Sequence, residues 1–210
     1  MPGPMQITAK PLKPNTLEMQ GISRRTMEEH YKLYEGYVNK YNEIMQKLTQ
    51  VSHDPGQANQ TFSDIRSLKI DLSFAIGGVK NHELYFGHLG GRGGKPQGRL
   101  ADEINRCFGS FDAWATDLKA TGVASRGWAW LAFDHDWNYL FNYAGDAQNT
   151  FPVWNATPIL GLDVYEHAYY IDYGTARAKY IDAFMNLIDW QVVQQNFEQA
   201  TRYLQATGAR

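Results

Sequence analysis

The chain has 210 residues, of which 43% are hydrophobic and 20% are charged, enough for one well-packed domain or two small interlocking ones without disulfide staples. Its formal net charge of −2 leaves no basic footprint for a nucleic acid or an anionic membrane surface. No apolar run approaches the roughly 20 residues that span a bilayer, and the N-terminus lacks the basic and apolar regions of a signal peptide.

The first part of the chain predicts a helical hairpin. The first 21 residues carry four prolines and little periodicity, which predicts an extended arm, and Ser23 is placed to cap a helix N-terminus. From about Thr26 to Val51, apolar residues recur at three- and four-residue spacing, which indicates a long amphipathic helix. After a Pro-Gly turn, a second helical pattern runs from about Thr61 to Leu89, with an interruption expected at Gly77-Gly78. Two antiparallel helices joined by a short loop form a hairpin.

A glycine-rich run at residues 90–98 predicts a connector. It follows no strand, and its Gly-Lys pair is followed by Pro96 rather than by Ser or Thr, so a phosphate-binding loop is not indicated. Beyond it, residues 100–107 and 110–120 predict two helices, and Ser110 is placed to cap the second.

The period then changes from that of a helix to that of strands. Three short apolar and aromatic runs, at residues 128–133, 137–143 and 158–164, are separated by turn residues and predict three strands. The hairpin turn between the first two is expected at residues 134–136. The chain returns to a helical pattern from about Tyr180 to Leu204.

These elements predict an α+β fold, with an N-terminal antiparallel helical hairpin and a C-terminal α/β domain that contains a small, about three-stranded antiparallel sheet. We divide the chain into residues 1–93, the N-terminal arm and long helical hairpin, and residues 94–210, the C-terminal α+β domain. The single Cys107 excludes an internal disulfide and is expected to be a buried structural cysteine.

A carboxylate and an imidazole, Asp163 and His167, lie four residues apart among aromatic residues. His30 falls on the first long helix and His82 on the second, so a helical hairpin can bring both to face the segment that carries Asp163 and His167. Three imidazoles and one carboxylate suit iron, manganese or zinc, and the absence of a thiolate argues against a soft metal. Such a ligand set leaves one or two positions for a small molecule.

Three other histidines are expected to lie away from this cluster. His53 is predicted to lie in a loop and His135 in a turn. His88 follows His82 by six residues, which places it some 240° round an ideal helix, so we expect it at the surface or in a subunit contact.

Five stretches of the sequence resemble the iron/manganese superoxide dismutase family, over roughly residues 23 to 200. Two of them lead to or carry the family's first two ligand histidines, one matches its F-G-S-F turn, one its G-W-x-W-L strand and one its D-x-W-E-H-A-Y-Y signature. They are residues 23–30, 79–86, 108–111, 127–131 and 163–173.

The resemblance implies a role for each matching residue. Tyr37 would be the phenol at the gateway to the metal, and Gln148 would hydrogen-bond the metal-bound solvent. Glu166 would bridge to His167 of the partner subunit, with Tyr170 in the same contact. The metal ligands would be His30, His82, Asp163 and His167, and the aromatic wall would comprise Phe86, Trp128, Trp130 and Tyr165.

The sequence departs from the family pattern at several places, and the N-terminal arm lacks the family's E-L-P-x-L-P-Y opening. Tyr37 follows His30 by seven residues where the family has eight, so we expect a local irregularity in the first helix or a changed approach of the tyrosine. The histidine that usually lies between them is absent, since Leu33 and Tyr34 occupy that region. Tyr165 stands where the family usually has Trp, and its hydroxyl therefore needs a partner.

The implied activity is the disproportionation of superoxide to dioxygen and hydrogen peroxide at one manganese or iron ion per chain. Manganese is preferred, because Gly78 stands where the iron-type branch carries its glutamine and Gln148 supplies that side chain from the sheet region. We expect a cytoplasmic homodimer or dimer of dimers that binds no nucleic acid or membrane, although an organellar protein that had lost a transit peptide would look the same. A non-catalytic scaffold and another mononuclear non-haem metalloenzyme, such as an oxygenase, remain alternatives.

Overall fold

Two long antiparallel helices form the N-terminal part of the protein. The computed structural model describes residues 5–149 and 153–207, the last five as backbone only. Helix α1 spans Arg24–Leu48 and helix α2 spans Asp64–Gly87. The hydroxyl of Ser23 accepts a hydrogen bond from the Thr26 N–H at 3.1 Å, which confirms the predicted cap. The predicted hairpin is therefore present.

The interruption expected at Gly77-Gly78 is wrong, because α2 runs through both glycines without a break. A Cβ at Gly77 would lie 2.0 Å from the Gln148 carbonyl oxygen, and a Cβ at Gly78 would lie 2.4 Å from the Tyr37 ring. Glycine in a helix interior costs about 1 kcal/mol relative to alanine. In exchange, these two glycines let the Gln148 backbone and the Tyr37 ring approach the helix closely.

The C-terminal part places helices around a three-stranded antiparallel sheet, in which the first strand along the chain lies between the second and the third. The central strand is buried along its whole length. The helices are α3 (Gly98–Phe108), α4 (Phe111–Ala124), α5 (Tyr170–Tyr173), α6 (Arg177–Met185) and α7 (Trp190–Thr207), and the strands are β1 (Trp128–Asp134), β2 (Tyr139–Gly145) and β3 (Ala156–Asp163). The predicted α+β class is confirmed.

The expected turn between the first two strands is too short. Asp134 belongs to β1, and the turn occupies residues 135–138, so β2 begins at Tyr139. The Asp134 carboxylate accepts hydrogen bonds from the N–H groups of Asp136 (2.9 Å) and Trp137 (2.8 Å). This turn leaves Trp137 exposed at the end of the sheet.

The single C-terminal helix expected from Tyr180 to Leu204 is also wrong, because residues 186–189 separate α6 from α7. The break docks on the glycine-rich connector: the Gly91 N–H donates to the Leu187 carbonyl at 2.9 Å and the Gly93 N–H to the Ile188 carbonyl at 3.2 Å. A Cβ at Gly91 would lie 2.3 Å from the Ile188 carbonyl oxygen. The apolar periodicity of the sequence does not predict this break, because the break depends on hydrogen bonds from a distant loop to the Leu187 and Ile188 carbonyls.

One large hydrophobic core joins the sheet to α2, α4, α6 and α7, and its largest members include Trp114, Trp128 and Tyr180. The Ser110 cap of α4 is confirmed, since its hydroxyl accepts from the Ala113 N–H at 3.1 Å. Cys107 is half-buried rather than fully buried, and its sulfur accepts from the Leu140 N–H at 3.2 Å. Among the described residues, no helix combines the length and apolar character needed to span a membrane.

Candidate metal centre

Four side chains from four elements converge at the centre of the molecule. His30 comes from α1, His82 from α2, Asp163 from the end of β3 and His167 from a 3₁₀ turn at Glu166–Ala168. Asp163 Oδ2 lies 3.1 Å from His30 Nε2, 3.2 Å from His167 Nε2 and 3.7 Å from His82 Nε2. The structure thus brings together all four residues that the sequence analysis named as metal ligands.

Hydrogen bonds around these side chains fix their orientation. The His82 Nδ1–H donates to the Gly78 carbonyl at 2.6 Å, which leaves the Nε2 lone pair directed at the other three residues. The Tyr165 N–H donates to Asp163 Oδ1 at 2.9 Å, so Oδ2 is the carboxylate oxygen that faces the three imidazoles. The Tyr180 hydroxyl donates to the Asp163 carbonyl at 2.7 Å.

Mutual electrostatics hold the carboxylate ionised. Burial alone would raise the pKa of Asp163, but the neighbouring His167 and His30 outweigh it and hold that pKa well below its usual range. Burial lowers the pKa of His30, and burial together with His30 lowers the pKa of His82 to about 3. The Asp163 carboxylate outweighs burial at His167 and raises its pKa. His30 and His82 are therefore neutral and Asp163 is ionised, which are the protonation states that a metal ion requires of its ligands.

The arrangement fits a metal ion. The four ligand atoms lie within 4.8 Å of one another, close to the spacing of nitrogen and oxygen ligands about 2 Å from one ion. Within the described part of the chain, His82 Nε2 is buried without a hydrogen-bond partner, and such an orphaned acceptor is costly unless something binds it. Three imidazoles and a carboxylate are the donors that iron, manganese and zinc accept.

Gln148 lies over the site on the connection from β2 to β3. Its Oε1 accepts from Asn81 Nδ2 and from Trp128 Nε1, both at 3.2 Å. Asn81 Nδ2 also donates to the Gln148 carbonyl at 3.1 Å. With Oε1 held in this way, the amide nitrogen is the free end of the side chain, and it is buried without a partner among the described residues.

Tyr37 lies beside the same side chains, with its ring centroid 5.3 Å from that of His82. Burial raises the pKa of its phenol, and the nearby Gln148 amide opposes that rise. No irregularity is needed in α1, which is α-helical throughout, because seven residues return to nearly the same face of a regular helix. The seven-residue spacing therefore places Tyr37 on the His30 side of α1.

The four aromatic residues named in the sequence analysis lie beside the cluster or against one another. Phe86 lies 5.0 Å from His30, Trp128 lies 5.4 Å from His82, and Trp130 stacks on Trp128 at 5.9 Å, all between ring centroids. Tyr165 stacks on His167 at 5.3 Å. These side chains keep bulk water away from the four polar groups.

The hydroxyl of Tyr165 finds the partner it needs, because it donates to the Asp146 carbonyl at 3.3 Å. Burial raises the pKa of this phenol to about 12. A Cβ at Gly127 would lie 2.9 Å from the Tyr165 ring, so glycine is required there. Tyr165 thereby ties the segment that carries Asp163 and His167 to the connection that carries Gln148.

The expectation that His88 lies at the surface or in a subunit contact is wrong. Its side chain is fully buried, and its Nε2 accepts from the Gly161 N–H of β3 at 3.0 Å. Residue 88 is the C-cap of α2, so the helical angle did not apply to it. His53 lies in a loop, where its Nε2 bonds the Leu48 carbonyl at 2.9 Å, and His135 lies in the strand turn.

Glu166 and Tyr170 are exposed beside the site, and Tyr170 is 51% accessible. Leu33 and Ile171 are exposed apolar residues, and the His167 side chain is partly accessible. The structure thus places Glu166 and Tyr170 on the surface next to His167.

The sequence analysis missed Asn81 and Tyr180. Asn81 precedes His82 directly, and that position was the available signal for its role in holding Gln148. Tyr180 bonds the Asp163 carbonyl from α6 and the Tyr85 hydroxyl at 3.0 Å, a contact that no local pattern indicates.

Fold and site together define a protein with a His/Asp cluster that fits a metal ion, placed between a helical hairpin and an α/β domain. Two family models match the chain: "Iron/manganese superoxide dismutases, alpha-hairpin domain" over residues 7–90 and "Iron/manganese superoxide dismutases, C-terminal domain" over residues 96–196. The chain belongs to the iron/manganese superoxide dismutase family.

Curated relatives cover most of the chain. A "Superoxide dismutase [Fe]" of Aquifex aeolicus is 43% identical over 199 residues, which is 93% of this chain and 92% of the relative. A protein of the same name from Aquifex pyrophilus is also 43% identical, with the same coverage. A "Superoxide dismutase [Mn] 1" of Halobacterium salinarum is 35% identical over 181 residues, or 85% of this chain and 88% of the relative.

Proposed function

We propose that the protein disproportionates superoxide to dioxygen and hydrogen peroxide, using one manganese or iron ion held by His30, His82, Asp163 and His167. The observation that carries this proposal is the buried convergence of three imidazole nitrogens on Asp163 Oδ2. Membership of the superoxide dismutase family supplies the reaction. An ion held by these four side chains would supply one-electron redox chemistry.

The protein's own residues supply negative charge and protons, and they exclude large molecules from the site. The Asp163 carboxylate offsets part of the cationic charge at the site, and the hydrogen bond from His82 to Gly78 fixes the tautomer that presents Nε2. Peroxide formation consumes two protons. In this proposal, the Gln148 amide and the Tyr37 phenol hold protons and pass them to a small molecule bound beside the ligands. The aromatic wall admits small molecules only.

Two observations bear on the identity of the metal, and one favours manganese while the other favours iron. The close approach of the Gln148 backbone to Gly77 in α2 supports the manganese preference. Two relatives at 43% identity carry iron in their names, whereas a relative at 35% identity carries manganese. Manganese is the preferred ion in this proposal and iron is the alternative. The activity restored by reconstitution with each metal separately decides between them.

We further propose a homodimer or a dimer of dimers through the face that carries Glu166 and Tyr170. The support is that His167 is partly accessible there, beside an exposed carboxylate and the exposed apolar residues Leu33 and Ile171. A second copy of the chain placed on this face would cover the apolar residues and complete the enclosure of His167. We keep the division of the chain at residues 93 and 94 and a cytoplasmic location as predictions.

The test is elemental analysis of the purified protein with a superoxide disproportionation assay, repeated after metal removal and reconstitution with manganese or iron. About one ion per chain and activity restored by that ion are expected. Stoichiometric metal without superoxide turnover would favour another mononuclear metalloenzyme. A protein that binds no metal would favour the scaffold.

A further inference from the structure

Six aromatic side chains form a continuous ladder along one face of the sheet, from the metal centre to solvent. Two come from β1, three from β2 and one from the turn between these strands. In spatial order the members of this aromatic ladder are Trp128, Trp130, Tyr143, Phe141, Tyr139 and Trp137.

The inner end of the ladder touches the metal centre. The Trp128 ring meets the His82 ring edge-on at 5.4 Å between centroids, and its indole N–H donates to Gln148. Trp130 stacks nearly parallel on Trp128 at 5.9 Å, and Tyr143 follows at 5.0 Å from Trp130. Each ring is therefore in contact with the next.

The outer end of the ladder reaches water. From Tyr143 the rings continue to Phe141 at 5.4 Å, to Tyr139 at 5.5 Å and to Trp137 at 6.2 Å. Trp137 is 74% exposed, whereas Trp128 is fully buried. The ladder thus joins the most buried part of the protein to its surface without a gap.

Sheet register builds the ladder from an alternating sequence. Side chains of alternate strand residues share a face, and Trp130 pairs across the strands with Tyr143. Small residues stand where a larger one would block the path: Gly145 is paired with Trp128 and Ala132 with Phe141. A Cβ at Gly145 would lie 2.2 Å from the Trp130 ring.

We propose that the aromatic ladder conducts oxidising equivalents from the metal centre to Trp137, where a low-molecular-weight thiol reduces them. The inference rests on the proposed function, which produces hydrogen peroxide beside a reducible ion. Hydrogen peroxide takes up two electrons and two protons to form two waters. A bound ion in its reduced state would supply one electron, solvent would supply the two protons, and the indole of Trp128 supplies the second electron and becomes a radical cation.

Electrons then move inward from ring to ring, so that the electron deficiency moves outward. An indole loses an electron without first losing a proton, which suits the buried Trp128 and Trp130. Tyr143 and Tyr139 release a phenolic proton with the electron, and both are only partly buried on the outer strand. Phe141 is not oxidised and serves as the medium between them. At Trp137, a thiol gives one electron and one proton, and two thiyl radicals join as a disulfide.

A second set of tyrosines also touches the site but lacks an exit for protons. The Tyr85 ring lies 5.1 Å from His30, and its hydroxyl bonds that of Tyr180. Both phenols are fully buried. Their oxidation would strand a proton in the core, so the ladder is the favoured route.

The test uses the iron-reconstituted full chain, treated with hydrogen peroxide and mapped for oxidised residues by peptide mass spectrometry. Trp154 is the matched control, because it is 86% exposed and lies outside the ladder. We expect oxidation at Trp137 with Trp154 spared, and suppression of the Trp137 product by added thiol. Equal or stronger oxidation of Trp154 would mean a freely diffusing radical and would overturn the inference, as would an unmodified Trp137.

A second experiment interrupts the ladder with Tyr143→Phe, which keeps the ring and removes the oxidisable phenol. We expect loss of the Trp137 product and accumulation of oxidised Trp128 and Trp130, at unchanged iron content. Unchanged oxidation of Trp137 would overturn the inference. Failure of the proposed function is separate, since it appears as absent superoxide turnover, whereas a failed ladder leaves that turnover intact.

Discussion

Replacing His88 by glutamine should remove part of the acid sensitivity of the fold. Burial lowers the pKa of His88 to about 4 from an ordinary 6.5, with a smaller contribution in the same direction from Lys13 and an opposing one from Asp189. The neutral imidazole accepts the Gly161 N–H, and a protonated imidazole could not. Folding therefore requires the neutral form.

The magnitude follows from the two pKa values. A tenfold change in proton affinity corresponds to about 1.4 kcal/mol, so a fall from 6.5 to about 4 corresponds to about 3 kcal/mol. The unfolded chain binds the proton first, so this stability is fully present above pH 6.5 and is lost as the pH falls from 6.5 towards 4. In the His88→Gln variant, the side-chain amide oxygen would accept the same N–H without titrating.

The assay is urea unfolding of the parent protein and of His88→Gln, at equal metal content, at several values between pH 7 and pH 4. The free energy of unfolding of the parent should fall by about 3 kcal/mol more than that of the variant over this range. His53→Gln is the matched control, since it makes the same substitution at an exposed histidine. Identical pH dependence of the parent and His88→Gln would refute the reasoning.

Four further predictions concern the metal centre. Gln148→Ala should leave the metal bound while lowering kcat and shifting the reduction potential, as measured by stopped-flow kinetics and redox titration. Gly78→Ala would place a methyl group 2.4 Å from the Tyr37 ring, and because overpacking costs about 1–3 kcal/mol, Tm in calorimetry should fall despite the better helix former. Asp163→Asn removes the carboxylate from the site, so elemental analysis should find less than one ion per chain. Glu166→Ala should weaken the dimer and lower metal retention together, as measured by light scattering and elemental analysis.

The contrary results are specific to each variant. Unaltered kinetics would remove Gln148 from the reaction, and an unchanged or raised Tm would show that Tyr37 yields easily at Gly78. Full metal content in Asp163→Asn would assign the site to other ligands. An unchanged dimer with full metal in Glu166→Ala would count against the bridge between subunits.

Local patterns predicted the elements of the fold well, because their causes are local. Ser23 and Ser110 cap helices by accepting hydrogen bonds from residues three positions away. Such short spacing can be recognised in the sequence itself. The sequence alone suggested that the hairpin helices bring His30 and His82 together to face Asp163. The assignment of Gln148 came from resemblance, since nothing near it in sequence marks a residue that lies over a distant helix.

The errors arose where a distant partner decides the local structure. Gly77 and Gly78 looked like a break in α2, but they serve the close approach of Gln148 and Tyr37. The break between α6 and α7 is stabilised by Gly91 and its neighbours, roughly a hundred residues earlier. Such effects follow from tertiary contacts that override local propensity.

The origin of the ligands constrains how the protein acquires its ion. His30 and His82 come from the hairpin, while Asp163 and His167 are more than 80 positions further along the chain, so the site does not exist until both halves have folded against each other. His30, His82 and Asp163 are then fully enclosed, and replacement of a bound ion requires the halves to open. Metal identity should therefore be fixed during biosynthesis, by whichever ion is present as the chain folds, and then persist with slow exchange for the lifetime of the molecule.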